Sequence, residues 1–293
     1  MDKKLESKRL FLYLALSFFL TWIVFFTYII TGHKWDGSNP RMEGLSALGM
    51  LIPVLAHVLT RWITKEGFPL TGKGSMMLGI SLKNKKWMFY LFALFMPWIY
   101  FEIGHGLSLL IYPDLFDPEY YKVMGIAKNM IPLLPLAAII NGAIGSFAAF
   151  GEEGGWRGYM MPKLIELVGT KKAVFIGGII WGVWHAPLTC VGHNFGLDYP
   201  GFPYLGILIM CVDCTFMGVM LIYITQKTNS IWPATIMHAV NNANPSILAV
   251  YINTERAAEV MPNPIVGFVI LLIPTIVIGS ICLVLLCREK GTI

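Results

Sequence analysis

Residues 10–30 read LFLYLALSFFLTWIVFFTYII, a run without a single charged side chain. The hydrocarbon core of a bilayer is about 30 Å thick, which an α-helix crosses in about 20 apolar residues. A signal-peptide core is shorter, about 7–15 residues, so this run is read as a retained first membrane helix. Seven more stretches meet or approach the same length: 44–64, 87–112, 131–150, 173–190, 204–225, 232–253 and 264–287. The fourth and fifth have the least defined ends. Backbone groups in lipid must be satisfied within their own segment, which makes these helices. The short alternating segments of a membrane barrel are absent. The fold class expected is therefore all-α: a polytopic membrane bundle of about eight transmembrane helices, forming one integral membrane domain over residues 1–293.

Composition agrees. The chain is 56% hydrophobic and 13% charged, against about 25% charged in a soluble domain. The missing charge implies a surface facing lipid. Seventeen of the 22 basic residues fall on one side if the amino terminus is placed in the cytoplasm and the chain crosses eight times. They are Lys3, Lys4, Lys8 and Arg9; Arg61, Lys65, Lys73, Lys83, Lys85 and Lys86; Arg157, Lys163, Lys171 and Lys172; Lys227; and Arg288 and Lys290. The other side holds Lys34, Arg41, Lys122, Lys128 and Arg256. Cytoplasmic loops carry the Lys/Arg excess, so both termini are expected in the cytoplasm of a multi-pass protein of the cell membrane. The net charge of +5 then reflects contact with anionic lipid headgroups, not nucleic acid.

The five cysteines lie in or beside apolar runs. Cys211 and Cys214 form a C-x-x-C without a second pair, and are read as small buried side chains. No internal repeat or flexible linker is evident. The longer loops are 65–86 and 113–130; the second, with Asp114, Asp117, Glu119, Tyr120 and Tyr121, suits a short interfacial helix.

Ionisable residues inside membrane helices are costly and default to functional candidates. Three clusters stand out. In Glu152-Glu153-Gly154-Gly155-Trp156-Arg157, Glu153 and Arg157 share a helix face and can pair. Glu152 then points about 100° away with no sequence-local partner, free for chemistry; the plain alternative is a salt bridge at a helix end. In Trp181-Gly182-Val183-Trp184-His185, the first and last residues share a face, although a lone His is more often a packing residue. In His238-Ala239-Val240-Asn241-Asn242, an imidazole and an amide are four apart, which interhelical hydrogen bonding also explains. Asn244-Pro245 should weaken or kink that helix. Together, a free Glu, two His and an Asn suffice to activate water and stabilise an oxyanion. Alternatively Glu152, His185 and His238 could hold Zn²⁺ with an open position for water. H-E-x-x-H and G-x-S-x-G are both absent, which excludes the common zinc-protease helix and the hydrolase elbow.

The order E-E-x-x-x-R, aromatic-x-x-x-H and H-x-x-x-N on successive membrane helices resembles the CPBP intramembrane proteases. These include the CAAX prenyl endopeptidases and bacterial proteins associated with bacteriocin self-immunity. The resemblance covers about residues 130–250. It implies a hydrolase, of metalloprotease or glutamate type, with a central cavity open to the cytosolic side. Its catalytic residues would be Glu152, His185, His238 and Asn242, supported by Glu153, Arg157 and Trp181; the family often has Phe at the last. Zn²⁺ or no metal are both compatible with the family. The implied partner is a peptide or a lipidated, prenylated protein. One tension remains in depth. By these boundaries Glu152 is near the inner surface, while His185 is about twelve residues into its helix. A match needs the fourth helix to run past Glu152, or the fifth to start later or tilt.

Glu102 and His105 can line the cavity or pair with each other, and Asp213 can support a catalytic His. For all three, plain structural roles are favoured. His57 has no evident partner, and His193 and Asp198 read as solvated. The rival readings are a non-catalytic membrane scaffold or self-immunity protein, and a proton-coupled transporter relaying through Glu102, Asp213 and Glu152. The lack of a repeat weighs against the transporter.

Overall fold

The computed structural model describes residues 2–32, 40–72 and 74–289. Lys34, Lys73 and Lys290, used above for orientation, lie outside them. The described chain is helical, without strands among the described residues. Its elements are α1 (Lys3–Ile30), α2 (Pro40–Thr64), α3 (Trp87–Ile111), α4 (Tyr120–Val123), α5 (Leu134–Gly155), α6 (Met161–Val168), α7 (Thr170–Trp184), α8 (Ala186–Thr189), α9 (Tyr204–Thr228), α10 (Trp232–Asn242), α11 (Thr254–Val260) and α12 (Pro264–Glu289). Among the described residues six helices are long and apolar enough to cross a membrane: α1, α2, α3, the continuous helix through α5 and α6, α9 and α12. The protein is an integral membrane protein.

The fifth and seventh apolar segments are shorter as helices than their sequence suggests. At 1.5 Å per residue, α7 spans about 22 Å and α10 about 16 Å. The reason is local. Pro187 cannot donate a hydrogen bond to the turn before it, and α7 stops at Trp184. Pro245 disfavours helical backbone at Asn244, which takes a left-handed conformation (φ 44°). The expected kink is thus a termination.

The fourth segment does the opposite and runs on. Between α5 and α6, Trp156–Met160 form a π-helical turn. Pro162 cannot donate to the Gly158 carbonyl, so the ladder loosens just ahead of it. Gly169 then reverses the chain at φ 81° into α7. Glu152 lies seventeen residues before that turn and His185 sixteen after it. Along antiparallel helices both positions are about 25 Å from the turn. The depth tension is resolved by the longer fourth helix, which carries Glu152 to the same level as His185. Arg157, counted above among the basic residues of the cytoplasmic side, is a buried residue of this helix.

Small residues let neighbours close on the site. A side chain on Gly155 would strike the Pro53 backbone of α2, and one on Gly182 the Cys211 backbone of α9. Such close backbone approach is the usual device of membrane helix packing.

The two ends of the bundle differ. At the amino-terminal end, Glu6, Arg9, Glu66 and Lys163 form a network of ion pairs, and Lys86 caps the Thr228 carbonyl at the end of α9 (2.9 Å). At the other end the 113–133 and 243–263 connections pair with each other: the Asn253 N–H donates to the Leu115 carbonyl and the Asp117 N–H to the Tyr251 carbonyl, both at 2.9 Å. The short helix expected in the first of these is α4, only four residues long.

Candidate active site

α5, α7 and α10 bring their polar residues together between α2, α3, α9 and α12. Glu152 is 2% exposed and Glu153 fully buried. Their carboxylates part as the helical geometry requires. Glu153 Oε1 accepts from Arg157 Nη1 at 3.1 Å and from His238 Nδ1 at 2.8 Å. Glu152 Oε2 accepts from the indole N–H of Trp181 at 2.6 Å and of Trp156 at 3.3 Å. Glu152 therefore does have a sequence-local partner, and the spacing that reveals it, i to i+4, is that of Glu153 and Arg157.

Trp181 is the hub. Its ring lies 4.1 Å from the Arg157 guanidinium carbon and 5.5 Å and 5.9 Å, centroid to centroid, from the rings of His238 and His185. A cation over the indole face is attractive, more so away from water. The expected support from Trp181 is thus aromatic and hydrogen-bonding at once, and a Phe there would lack the N–H to Glu152.

The histidines are held alike. His185 Nδ1 is 2.8 Å from the Trp181 carbonyl. A carbonyl only accepts, so Nδ1 carries the proton. That carbonyl is available because α7 ends here, with no further turn to bond it. His238 Nδ1 donates to Glu153. In both rings Nε2 is the nitrogen left for other partners. Asn242 Oδ1 accepts from Asn241 Nδ2 at 3.2 Å, which leaves its own N–H donors uncommitted by that bond. Asn241 in turn accepts from the Tyr100 hydroxyl.

Glu152, His185, His238 and Asn242 line one cavity of about 580 Å³, with Trp181 and Asp213 in its wall. Among the described residues no three His, Cys, Asp or Glu side chains are grouped as a metal ion requires. Glu152, His185 and His238 share the cavity without assembling a three-ligand zinc centre.

Other candidates separate. Glu102 does not pair with His105 and does not line this cavity. It accepts from Trp98 Nε1 (3.0 Å) and from the backbone N–H groups of Ile247 and Leu248. His105 lines a different cavity, beside Tyr199 and Leu115. His57 has partners after all: Nδ1 is 2.8 Å from the Gly154 carbonyl, and Arg61 Nε donates to Nε2 at 2.6 Å. His193 is not simply solvated but lines the site cavity; Asp198 is exposed. Cys211 and Cys214 are free and buried. Sequence reasoning missed Asn241, Tyr100 and Trp156. Only the last had a sequence signal, its spacing from Glu152.

Fold and site together define a polytopic membrane protein with a carboxylate, two imidazoles and an amide around an intramembrane cavity. Residues 131–244 match the family model described as Rce1-like, "Type II CAAX prenyl endopeptidase Rce1-like". The "CAAX prenyl protease 2" of Methanococcus maripaludis is 25% identical over 259 residues, 83% of this chain and 86% of the relative. The resemblance drawn from the three motifs is borne out, and both names are those of a protease.

Proposed function

We propose that this protein is an intramembrane endopeptidase, with residues 130–250 as its core, hydrolysing a peptide bond by a glutamate-activated water. The observation that carries the reading is the convergence of Glu152, His185, His238 and Asn242 on one cavity, while Glu153 and Arg157 neutralise each other behind it. The two indoles hold Glu152 by Oε2, so Oε1 is the atom to take a proton from water. The water oxygen attacks the scissile carbonyl carbon, and His185 Nε2 orients it. The oxyanion is met by His238 Nε2 and the Asn242 amide. Collapse breaks the C–N bond, and the proton held by Glu152 passes to the leaving amine. The substrate class is a peptide or a lipidated protein tail, and both termini of the enzyme are cytoplasmic.

The test is purified protein in detergent with fluorogenic peptides, plain and prenylated. Wild type cleaves and Glu152→Gln does not. Equal cleavage by both removes Glu152 from the mechanism. A scaffold or immunity protein with the same cavity would bind without turnover, and would keep its biological effect with Ala at His185 and His238.

A further inference from the structure

The site cavity is one of three that stand in file. Beyond Arg157 lies a second large one, of about 980 Å³, with Arg61, Gly158 and Lys163 in its wall and the exposed residues Lys65, Glu166 and Asn229 among its lining. It shares no lining residue with the site cavity. Between the two is a small cavity of about 10 Å³, the room of a single water. Its wall has Arg157, Met161 and Ile222 in common with the second cavity, and Trp181 and Cys214 in common with the site.

The small cavity carries a polar demand. Arg157 donates through Nη1 to Glu153 and lies over the Trp181 ring. Its Nε–H has no protein acceptor, although the residue is only 3% exposed. A buried charged group short of a hydrogen bond is costly, and a bound water is the usual remedy. One residue on, the Gly158 carbonyl has no donor in Pro162, and Gly158 lines the second cavity. Glycines make the room. Gly178 is required by packing, since a Cβ there would strike the Thr215 backbone. Gly218 is not: a Cβ would stand 3.4 Å from Arg157 Nη2 and 4.0 Å from Trp181, ordinary contacts. Alanine also suits a helix interior better than glycine. What glycine at 218 preserves is the space beside the guanidinium.

Hydrolysis consumes one water per bond, and a peptide that fills the site cavity displaces the water already there. We infer that Arg157 Nε holds a water in the small cavity, and that this water is a station on a route from the second cavity to Glu152 that stays open while a peptide occupies the site. The inference rests on the endopeptidase reading. It gives Arg157 a task beyond neutralising Glu153. Met161 is the partition on the side of the second cavity, and its unbranched thioether moves easily.

The experiment pairs footprinting with kinetics on the full-length protein in detergent. X-ray radiolysis makes hydroxyl radicals from bound as well as bulk water, and mass spectrometry reads the oxidised side chains. Met160 is the reporter: it is 1% exposed and lines the small cavity but neither large one. Expected is oxidation of Met160 in wild type, reduced about fivefold in Gly218→Val, with the exposed Met124 unchanged. In the same variant kcat on a fluorogenic peptide should fall about tenfold at unchanged KM. Gly218→Ala, which fits without strain, should show a smaller fall in both with no loss of melting temperature, and carries the test if the Val form does not fold. An unoxidised Met160 in wild type overturns the inference. Lost labelling with kcat unchanged makes the water purely structural and overturns the route, as does a fall in kcat with labelling unchanged. Wild type that never cleaves defeats the endopeptidase reading instead, and Met160 labelling still decides the water site.

Discussion

Two glutamates within membrane-spanning helices, Glu102 on α3 and Glu152 on α5, look alike in sequence and differ in what surrounds them. Each accepts from a tryptophan four positions away on its own helix, Trp98 for Glu102 and Trp156 for Glu152. Beyond that, Glu102 turns to two backbone N–H groups of the connection that follows α10. It occupies both oxygens and fixes how the chain leaves His238 and Asn242. Glu152 accepts a second indole on the same oxygen and borders the cavity. A carboxylate whose acceptors are filled by backbone is a fastener; a buried one held at a single oxygen beside a cavity is available for chemistry.

The largest effect that sharpens this contrast is on turnover. Glu152→Gln keeps an acceptor for both indoles but cannot take a proton. Its kcat should fall about 10²–10⁴-fold, with the melting temperature in detergent unchanged. A large drop in melting temperature with retained kcat would make Glu152 the fastener. Next comes Glu153→Ala, which leaves Arg157 buried without its counter-charge. Unfolding in detergent should show a loss of about 3–5 kcal/mol, and His238 loses its orientation. Glu102→Ala strips the acceptor from two backbone N–H groups and should cost about 1–3 kcal/mol of stability. Its activity loss should be smaller than that of Glu152→Gln, and an equal loss of kcat at unchanged stability would collapse the comparison.

The smallest effect is at the basic end. Burial pushes the Glu66 carboxyl up, but hydrogen bonds from Lys163 and Tyr159 outweigh it and hold Glu66 below its ordinary value of 4.5. A lowered carboxylate contributes stability above the unfolded value and loses it as pH falls through the folded one. Melting temperature should therefore decline below about pH 4.5 in wild type, and less steeply in Glu66→Gln. Because Glu66 belongs to an ion-pair network lining an open cavity at the end of the bundle, the difference should be slight.

Much of the fold was legible because lipid imposes a simple rule. Apolar runs of about 20 residues must be helices, and 10–30, 87–112, 204–225 and 264–287 became α1, α3, α9 and α12, with α1 starting earlier, at Lys3, and the others shifted by at most three residues at their ends. The site was legible because its side chains sit at i, i+4 on their own helices, a spacing visible in one dimension. Less legible were the extents of the fourth, fifth and seventh segments. Hydropathy does not register that Pro187 and Pro245 stop helices that remain apolar beyond them. Nor does it show that a polar stretch through Arg157 continues a buried one.

The sequence by itself determined the membrane class, the asymmetry of charge between loops and the residue set Glu152, His185, His238 and Asn242. These follow from composition and from spacing along single helices. Only the tertiary structure decided which oxygen of each glutamate is occupied, that Glu102 fastens a connection some 145 residues away, and that Glu152, His185, His238 and Asn242 border one cavity. Those depend on contacts between distant helices, whose depth is set by where neighbouring helices stop.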